Sequence, residues 1–407
     1  MERRWELDAL RGVMLVLMTL THLPTVFSSP AGQPLGFVSA AEGFVLLSAY
    51  MCGVVYTQRG QREGEDPMRS ALLHRAFKIY LCQAALLLFL FSFIAGLALL
   101  VDQGEVKSLV SFYLERPLVA FVGAMLLLYN PPLLDILPMY IVFMLASPLL
   151  LVHGMRHGWA VVLALSVAAW VGAQFGLGRV LQAQLISLTG LPVPPAQGGA
   201  FDILAWQFIW VLGLWLGSSQ AAKKPALPQR LPQWTVLAAV AIGATGLVWR
   251  HTLGQAAFPE LPGSAVPNML FDKWRLGPAR MADLFALLVL TVHFGPWLKE
   301  KLPRLRFLET LGAASLPVFC AHLVVALLAL VFFGAPKPGR PLGIDVGILV
   351  GGFAILYATA LVSQYLDRRA AAVQQGFKER RARYKERRAA RRAASTCATK
   401  VSASARQ

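Results

Sequence analysis

The sequence predicts an all-α polytopic membrane protein of about ten transmembrane helices, with both termini in the cytoplasm and short amphipathic segments on the outward side. Three observations support this fold class. The 407 residues are 57% hydrophobic and only 14% charged, too few polar residues to cover a water-soluble globule. Many apolar stretches approach the length that crosses a bilayer. The net charge of +17 cannot lie in hydrocarbon, so Lys and Arg must concentrate in loops and tails.

A bilayer crossing needs about 20 apolar residues in a helix. Ten stretches approach this length: 8–26, 37–57, 77–101, 132–152, 158–175, 201–219, 233–250, 280–298, 312–333 and 344–366. Two shorter apolar pieces, 117–129 and 178–190, are predicted to lie at the outward interface or to dip partway into the bundle.

The distribution of Lys and Arg predicts the orientation. With a cytoplasmic N-terminus, the inner segments before the tail hold sixteen cations: Arg3, Arg4, Arg11, Arg59, Arg62, Arg69, Arg75, Lys78, Arg156, Lys223, Lys224, Arg230, Lys299, Lys301, Arg304 and Arg306. The outer loops hold seven: Lys107, Arg116, Arg179, Lys273, Arg275, Lys337 and Arg340. This excess satisfies the positive-inside rule.

Two domains follow from the composition. Residues 1–366 form the membrane domain, and 367–407 form a basic cytoplasmic tail, partly helical or disordered. Next to the last helix, the tail is expected to be attracted to anionic lipid headgroups of the bilayer rather than to bind nucleic acid. Cysteine and histidine spacing predicts no metal site, and no phosphate-binding glycine motif suggests a bound cofactor or ATP-driven transport.

Ionisable residues inside spans are functional hypotheses by default because they are costly there. Arg11 and His22 lie eleven residues apart, hence on nearly the same face of the first helix and about 16 Å apart. His22 can act as a general base or a transient acyl carrier, and Arg11 can bind phosphate or carboxylate from the inner side. Asp8 lies one turn before Arg11 and is expected to pair with it. The simpler alternative is a structural hydrogen bond for His22 and a snorkelling anchor for Arg11.

Further polar residues begin other spans near the outer side. Glu42 and Asp135 are predicted to approach His22 and to orient or acidify it. Arg280 is predicted to neutralise a carboxylate there, with a headgroup anchor as the alternative. The other candidate substrate-binding residues are Ser48, Tyr140, Trp206, Gln207, Ser315 and His322. Trp206 also fits an interfacial aromatic belt, whereas Gln207 inside a span needs a partner.

Several segments resemble a known family. ELDALRG, the histidine before a proline, AAEGFVLLSAY, DILPMY, AWQFIW and LGAASLPVFCAH are similar to OpgC-type proteins, which succinylate osmoregulated periplasmic glucans, within the wider acyltransferase-3 group. The similarity runs from about residue 3 to 365. The spacing of Arg11 and His22 is also the characteristic motif of the wider group.

The resemblance implies a ten-span acyltransferase of the bacterial inner membrane. Such an enzyme moves an acyl group, expected to be succinyl, from cytoplasmic acyl-CoA to a hydroxyl of a periplasmic glucan. His22 would be the catalytic histidine and Arg11 its motif partner. A succinyl group favours an extra cation near the site, for which Arg280 is a candidate. A secondary transporter or exporter of a small metabolite or glycan is the alternative, although the chain has no internal repeat. The acyl group, the acceptor and the oligomeric state stay open.

Overall fold

The computed structural model describes residues 4–101, 104–224, 226, 228, 231–252, 266–337 and 339–404, with the backbone alone for 266–268, 374, 377–379 and 381–404. Two cations used to predict the topology, Arg3 and Arg230, lie outside the described residues. Within these ranges the chain is helical and contains no β-strand.

The first helices are α1 Trp5–His22, α2 Ser28–Ala31, α3 Ala40–Glu63, α4 Glu65–Phe89, α5 Ala95–Leu100, α6 Gly104–Glu115, α7 Pro117–Met125 and α8 Ile136–His157. A π-helical turn at Leu90–Ile94 joins α4 to α5. The later helices are α9 Ala160–Gln174, α10 Leu177–Thr189, α11 Ile203–Ala221, α12 Gln233–Thr252, α13 Val266–Phe271, α14 Pro278–Lys301, α15 Arg306–Ala313, α16 Ser315–Phe333 and α17 Leu342–Ser404.

The protein is an all-α polytopic membrane protein, as predicted. In the described part of the chain, six helical segments are long and apolar enough to cross a membrane: Ala40–Glu63, Glu65–Leu100, Ile136–His157, Pro278–Lys301, Ser315–Phe333 and Leu342–Val373. Two bent helix pairs raise the number to eight if each is one span. Each of the ten predicted stretches contains a helix, but α1 carries Glu6, Asp8 and Arg11 and α9 has only 15 residues. The number ten therefore stays a prediction.

The two bent pairs coincide with the two short apolar pieces of the sequence. Helix α7 is bent by 95° from α6, and α10 is bent by 87° from α9. Gly176, between α9 and α10, has a φ of 85°, a left-handed conformation that glycine adopts without steric cost. Each of these pieces is therefore a short helix that runs nearly at a right angle to the helix before it.

Residues 58–76 separate two predicted spans, yet they are helical instead of forming a loop. Helix α3 continues to Glu63 and α4 begins at Glu65, with only Gly64 between them. Ion pairs across one helical turn support these polar extensions, at 2.9 Å for Arg59–Glu63 and 3.6 Å for Arg69–Glu65. Hydropathy missed these extensions because they are polar, although each belongs to the same helix as the neighbouring apolar span.

Close helix crossings place α1 in the bundle. Gly12 of α1 and Gly312 of α15 lie where the two backbones approach so closely that a Cβ atom at either would overlap the carbonyl oxygen of Leu308 or Asp8. Small residues at such crossings let membrane helices pack backbone to backbone. α16 runs beside α1 in the same direction, which places α1 side chains against α16 at two depths.

Helix α17 runs through the predicted domain boundary at residue 367 without a break and continues as backbone helix to Ser404. Its first part packs against α16 and α15. The membrane domain and the basic tail are thus joined by one continuous helix.

Candidate functional site

Two histidines from distant parts of the chain meet where α1 ends. The half-buried ring of His22 meets the fully buried ring of His322 in α16 edge to edge, with 5.3 Å between ring centroids and 15° between planes. Nδ1 of His22 lies 3.1 Å from Nε2 of His322. The sequence singled out both residues, and the structure brings them into direct contact.

The hydrogen bonds fix which ring nitrogen carries each proton. Nδ1 of His322 lies 2.6 Å from the carbonyl oxygen of Phe319, and a carbonyl can only accept, so this nitrogen donates. No carboxylate of the described residues forms an ion pair with either ring, so neither imidazole has a partner that would stabilise a positive charge. Nε2 of His322 therefore lacks a proton and accepts from Nδ1–H of His22. Nε2 of His22 is left with a free lone pair, and no described residue hydrogen-bonds to it.

The turn after His22 is held in place by α17 and the segment before it. α1 ends at His22 because the next residue, Leu23, precedes a proline and has extended backbone that leads away from the helix. Arg340 donates to the carbonyl oxygen of Pro24 and forms an ion pair with Asp345. Asp345, fully buried, accepts from the backbone N–H of Val26 at 3.0 Å. This network restrains the end of α1 and hence the imidazole of His22.

A cavity of about 440 Å³ lies between α1, α3, α4, α8 and α16, and its lining runs from Arg11, at predicted inner depth, to Ile136 and Leu137 at the predicted outer start of α8. Its polar lining includes four predicted substrate-binding residues, namely Arg11, Ser48, Tyr140 and Ser315. Arg11 donates to the hydroxyl of Ser315 and lies 3.9 Å from Asp8, which confirms the predicted pair with Asp8. The rest of the lining is mainly apolar. Phe319, whose carbonyl holds His322, is part of the wall. The cavity therefore reaches from Arg11 to within one helical turn of the histidine pair.

Arg75 is a further cation in this cavity that sequence reasoning placed in an inner loop. It lies on α4, one turn before Ile79, which also lines the cavity. The four-residue spacing of Arg75 and Ile79 could have indicated this position, since residues four apart share a helix face. It was missed because the predicted span began at residue 77. The cavity thus presents two guanidinium groups, from Arg11 and Arg75.

Glu42 and Arg280 form a fully buried ion pair at 2.7 Å, as expected of a cation placed to neutralise a carboxylate there. The other oxygen of Glu42 accepts from the backbone and side chain of Ser39, so Glu42 also caps α3. Arg280 additionally donates to the carbonyl oxygens of Phe37 and Phe271. No hydrogen bond joins Glu42 to His22 within the described chain. The predicted catalytic role of Glu42 stays a prediction, and the geometry shows a structural pair.

Asp135 lies in a different cavity from Arg11. Its carboxylate accepts from the backbone N–H of Ala200 at 3.1 Å. Burial raises the pKa of Asp135 to about 6, although the hydrogen bond from Ala200 opposes that shift. No hydrogen bond links Asp135 to His22 in the residues that the structure describes. Its predicted catalytic role likewise stays a prediction.

Lys273 connects these groups and was not among the predicted site residues. It lies in the loop between α13 and α14, where its ammonium interacts electrostatically with His22, Glu42, Arg280 and Asp135. Burial lowers the pKa of Lys273, and Glu42 and Asp135 oppose that shift. No carboxylate of the described residues lies within 4 Å of it, the distance of an ion pair. A loop lysine carries no periodicity signal, so only the fold reveals its position.

Trp206 and Gln207 join α11 to its neighbours: Trp206 bonds to the loop that contains Lys273, and Gln207 bonds to α9. Nε1 of Trp206 donates to the carbonyl oxygen of Trp274 at 3.0 Å, next to Lys273. Gln207 exchanges hydrogen bonds with Ser166 of α9, accepting from its hydroxyl at 2.7 Å and donating to its carbonyl oxygen at 2.8 Å. This contact supplies the partner that an amide inside a span requires.

The sequence profile of the OpgC protein family matches residues 3–368. The chain belongs to the OpgC family. No curated protein and no solved structure gives a significant match. Membership in the OpgC family implies a glucan-modifying, acyltransferase-like role. The matched region contains every predicted site residue, from Asp8 to His322, and ends where the basic tail begins.

Proposed function

We propose that the protein transfers an acyl group, most simply succinyl, from cytoplasmic acyl-CoA to a hydroxyl of a periplasmic glucan. In this proposal it lies in the bacterial inner membrane with both termini in the cytoplasm. The observation that carries the proposal is the hydrogen-bond chain from Phe319 through His322 to His22. It leaves Nε2 of His22 as a proton acceptor, and His322 lies one helical turn after Phe319 in the wall of the cavity that contains Arg11.

The Arg11 cavity is the proposed donor site. CoA is highly anionic, and the guanidinium groups of Arg11 and Arg75 attract it from the cytoplasmic side. The apolar remainder of the lining suits the uncharged arm that carries the thioester. In this arrangement the acyl carbon reaches the histidine pair past Phe319.

His22 is the proposed general base. Its Nε2 accepts the proton of the acceptor hydroxyl while the hydroxyl oxygen attacks the thioester carbonyl, forming the ester C–O bond. The C–S bond then breaks, and the departing thiolate of CoA takes the proton back from His22. The proton returned to the thiolate leaves the enzyme unchanged after each turnover. His322 orients the ring and never touches substrate.

A succinyl group would bring a carboxylate to the outer side of the site. Two cationic groups are available there for it: the ammonium of Lys273, and Nη2 of Arg280, which has no hydrogen-bond partner among the described residues. Arg280 already neutralises Glu42, so Lys273 is the preferred partner in this proposal.

The test is mass spectrometry of periplasmic glucans from cells that contain the wild-type protein, the His22→Ala variant or no protein. The proposal expects acylated glucan with the wild type alone, and the mass increment identifies the acyl group. Membrane fractions must show equal amounts of both proteins. Equal acylation with His22→Ala would refute the role of His22. Unmodified glucan together with movement of a solute by the wild type would instead favour a transporter.

A further inference from the structure

A second cavity, of about 270 Å³, lies where α8 and α11 begin. It shares no lining residue with the Arg11 cavity. Its lining consists of Leu127, Asn130, Asp135, Pro138, Met139, Val142, Gly198, Gly199, Phe201 and Ile203. The predicted topology places the starts of both helices on the outer side, and the second cavity lies on a different face of α8 from the residues Ile136, Leu137 and Tyr140 that line the Arg11 cavity. A cavity at this position is available to a ligand that arrives from the periplasm.

The cavity holds a buried oxygen that has no partner in the described chain. Asn130 is only 8% exposed, and its Nδ2 donates to the carbonyl oxygen of Gly198 at 2.7 Å. That bond fixes the amide, and its Oδ1 makes no hydrogen bond to any described residue. Buried polar atoms in folded proteins are nearly always paired, so an unpaired acceptor at a cavity wall indicates a missing donor.

The loop around Gly199 keeps the cavity open. Gly199 has a φ of +96°, and a Cβ atom there would lie 3.0 Å from Cβ of Asn130 and 3.3 Å from Cβ of Asp135. The backbone N–H of Asn130 donates to Gln197 at 3.0 Å, and the N–H of Ala200 donates to Asp135. The same loop therefore positions both acceptor side chains and leaves space between them.

The chemistry of the lining selects a class of ligand. Asp135 and Asn130 present oxygens that accept hydrogen bonds, Phe201 adds an aromatic ring, and no lining residue is cationic. Such a site favours a neutral molecule with several hydroxyl donors and an apolar face, and it disfavours an anion.

We propose that this cavity is the acceptor subsite, which binds one neutral sugar ring of the glucan through Asp135 and Asn130. The proposal rests on the proposed acyl transfer. Lys273 interacts electrostatically with both Asp135 and His22, and the proposal requires that the glucan extend from this cavity toward the histidine pair. Asp135 is thereby a binding residue for the acceptor instead of an orienting group for His22.

The test uses purified protein in lipid nanodiscs with succinyl-CoA and a neutral glucose oligosaccharide. Asp135→Asn keeps the size and the oxygen that accepts from Ala200 but removes the charge. It should raise KM for the oligosaccharide about ten- to hundred-fold, with kcat and KM for succinyl-CoA unchanged. Val142→Phe fills the cavity and should raise the same KM. Leu145→Phe is the matched control, since Leu145 lies one turn later on α8, is 49% exposed and does not line the cavity. It should leave all three constants unchanged.

The outcomes separate this inference from the proposed function. A lower kcat with unchanged acceptor KM in Asp135→Asn would place Asp135 at the chemistry and overturn the subsite. Unchanged constants in Val142→Phe would overturn it as well. If the wild type transfers no acyl group, the proposed function fails, and saturation-transfer NMR with the oligosaccharide then tests the cavity directly. Binding that Val142→Phe abolishes and Leu145→Phe retains would support a sugar site, and no binding to the wild type would refute it.

Discussion

Replacing His322 by Phe tests the hydrogen-bond chain that orients His22. Phe keeps an aromatic ring against His22 but removes the nitrogen that accepts from Nδ1–H, at 3.1 Å in the native protein. Leaving a buried donor unpaired costs about 1–3 kcal/mol, and each 1.36 kcal/mol is a tenfold change in rate. We therefore expect kcat to fall roughly 5- to 150-fold. KM for donor and acceptor should stay within about twofold, because His322 contacts neither in the proposed mechanism.

The assay is succinyl transfer to a glucose oligosaccharide by protein in nanodiscs. His322→Gln is the conservative control, since its side-chain oxygen accepts near the position of Nε2 and should restore most of kcat. In the background of His22→Ala, His322→Phe should have no further effect, because both residues act as a unit. An additive loss in the double variant, or wild-type kcat in His322→Phe, would refute the orienting role.

Three further predictions concern the donor site, the acceptor site and the buried ion pair. Arg11→Met should raise KM for acyl-CoA about 10- to 100-fold and leave acceptor KM unchanged, because a charge-assisted contact contributes about 1.5–3 kcal/mol. If steady-state assays give the variant and the wild type the same KM for acyl-CoA, the Arg11 cavity is not the donor site. The pKa of Asp135 near 6 means that its carboxylate is charged above that pH and becomes protonated below it. Acceptor KM should therefore rise as pH falls from 7 to 5, whereas Asp135→Asn should show no such change; a wild-type KM that is constant over this range would argue against binding by the carboxylate. Glu42→Gln leaves the fully buried Arg280 without its counter-charge and should destabilise the protein by about 3–5 kcal/mol. This loss is measured as a lower thermal midpoint in detergent. The double variant Glu42→Gln with Arg280→Met should recover much of the lost stability. Equal thermal midpoints for the single and double variants would show that the unpaired charge of Arg280 does not cause the loss of stability.

Local periodicity explains what the sequence predicted well. Arg11 and His22 lie on one face of α1 because eleven residues complete about three turns, and both contact α16. Asp8 pairs with Arg11 because residues three apart are neighbours on a helix. These predictions needed only the helix and its direction. Likewise, hydropathy alone indicated the fold class.

Contacts between distant helices could not be predicted in the same way. Topology gives each residue a depth in the membrane, but it gives no position around the bundle. Glu42 and Asp135 have similar predicted depths, yet Glu42 pairs with Arg280 while Asp135 lines a separate cavity. His322 meets His22 across 300 positions of sequence, a contact that depends on which helices are neighbours.

Two other features escaped prediction for chemical reasons. Arg75 was assigned to a loop because hydropathy treats a polar helix extension as a break in a span. Lys273 lies in an irregular loop, where side-chain direction depends on long-range contacts such as that of Trp206 with Trp274. Both residues are cations, and the positive-inside rule uses cations in loops only to predict orientation, so neither one suggested a functional site.

The most direct test of trans-bilayer acyl transfer is to load isotope-labelled succinyl-CoA inside proteoliposomes and place a glucose oligosaccharide outside. Protein oriented with its cytoplasmic face inward should produce labelled ester on the outer oligosaccharide, and free CoA should appear inside in equal amount. His22→Ala in the same orientation should give neither product above the protein-free background. Labelled ester formed equally by His22→Ala, or formed by the wild type only when donor and acceptor share one side, would contradict the proposed mechanism.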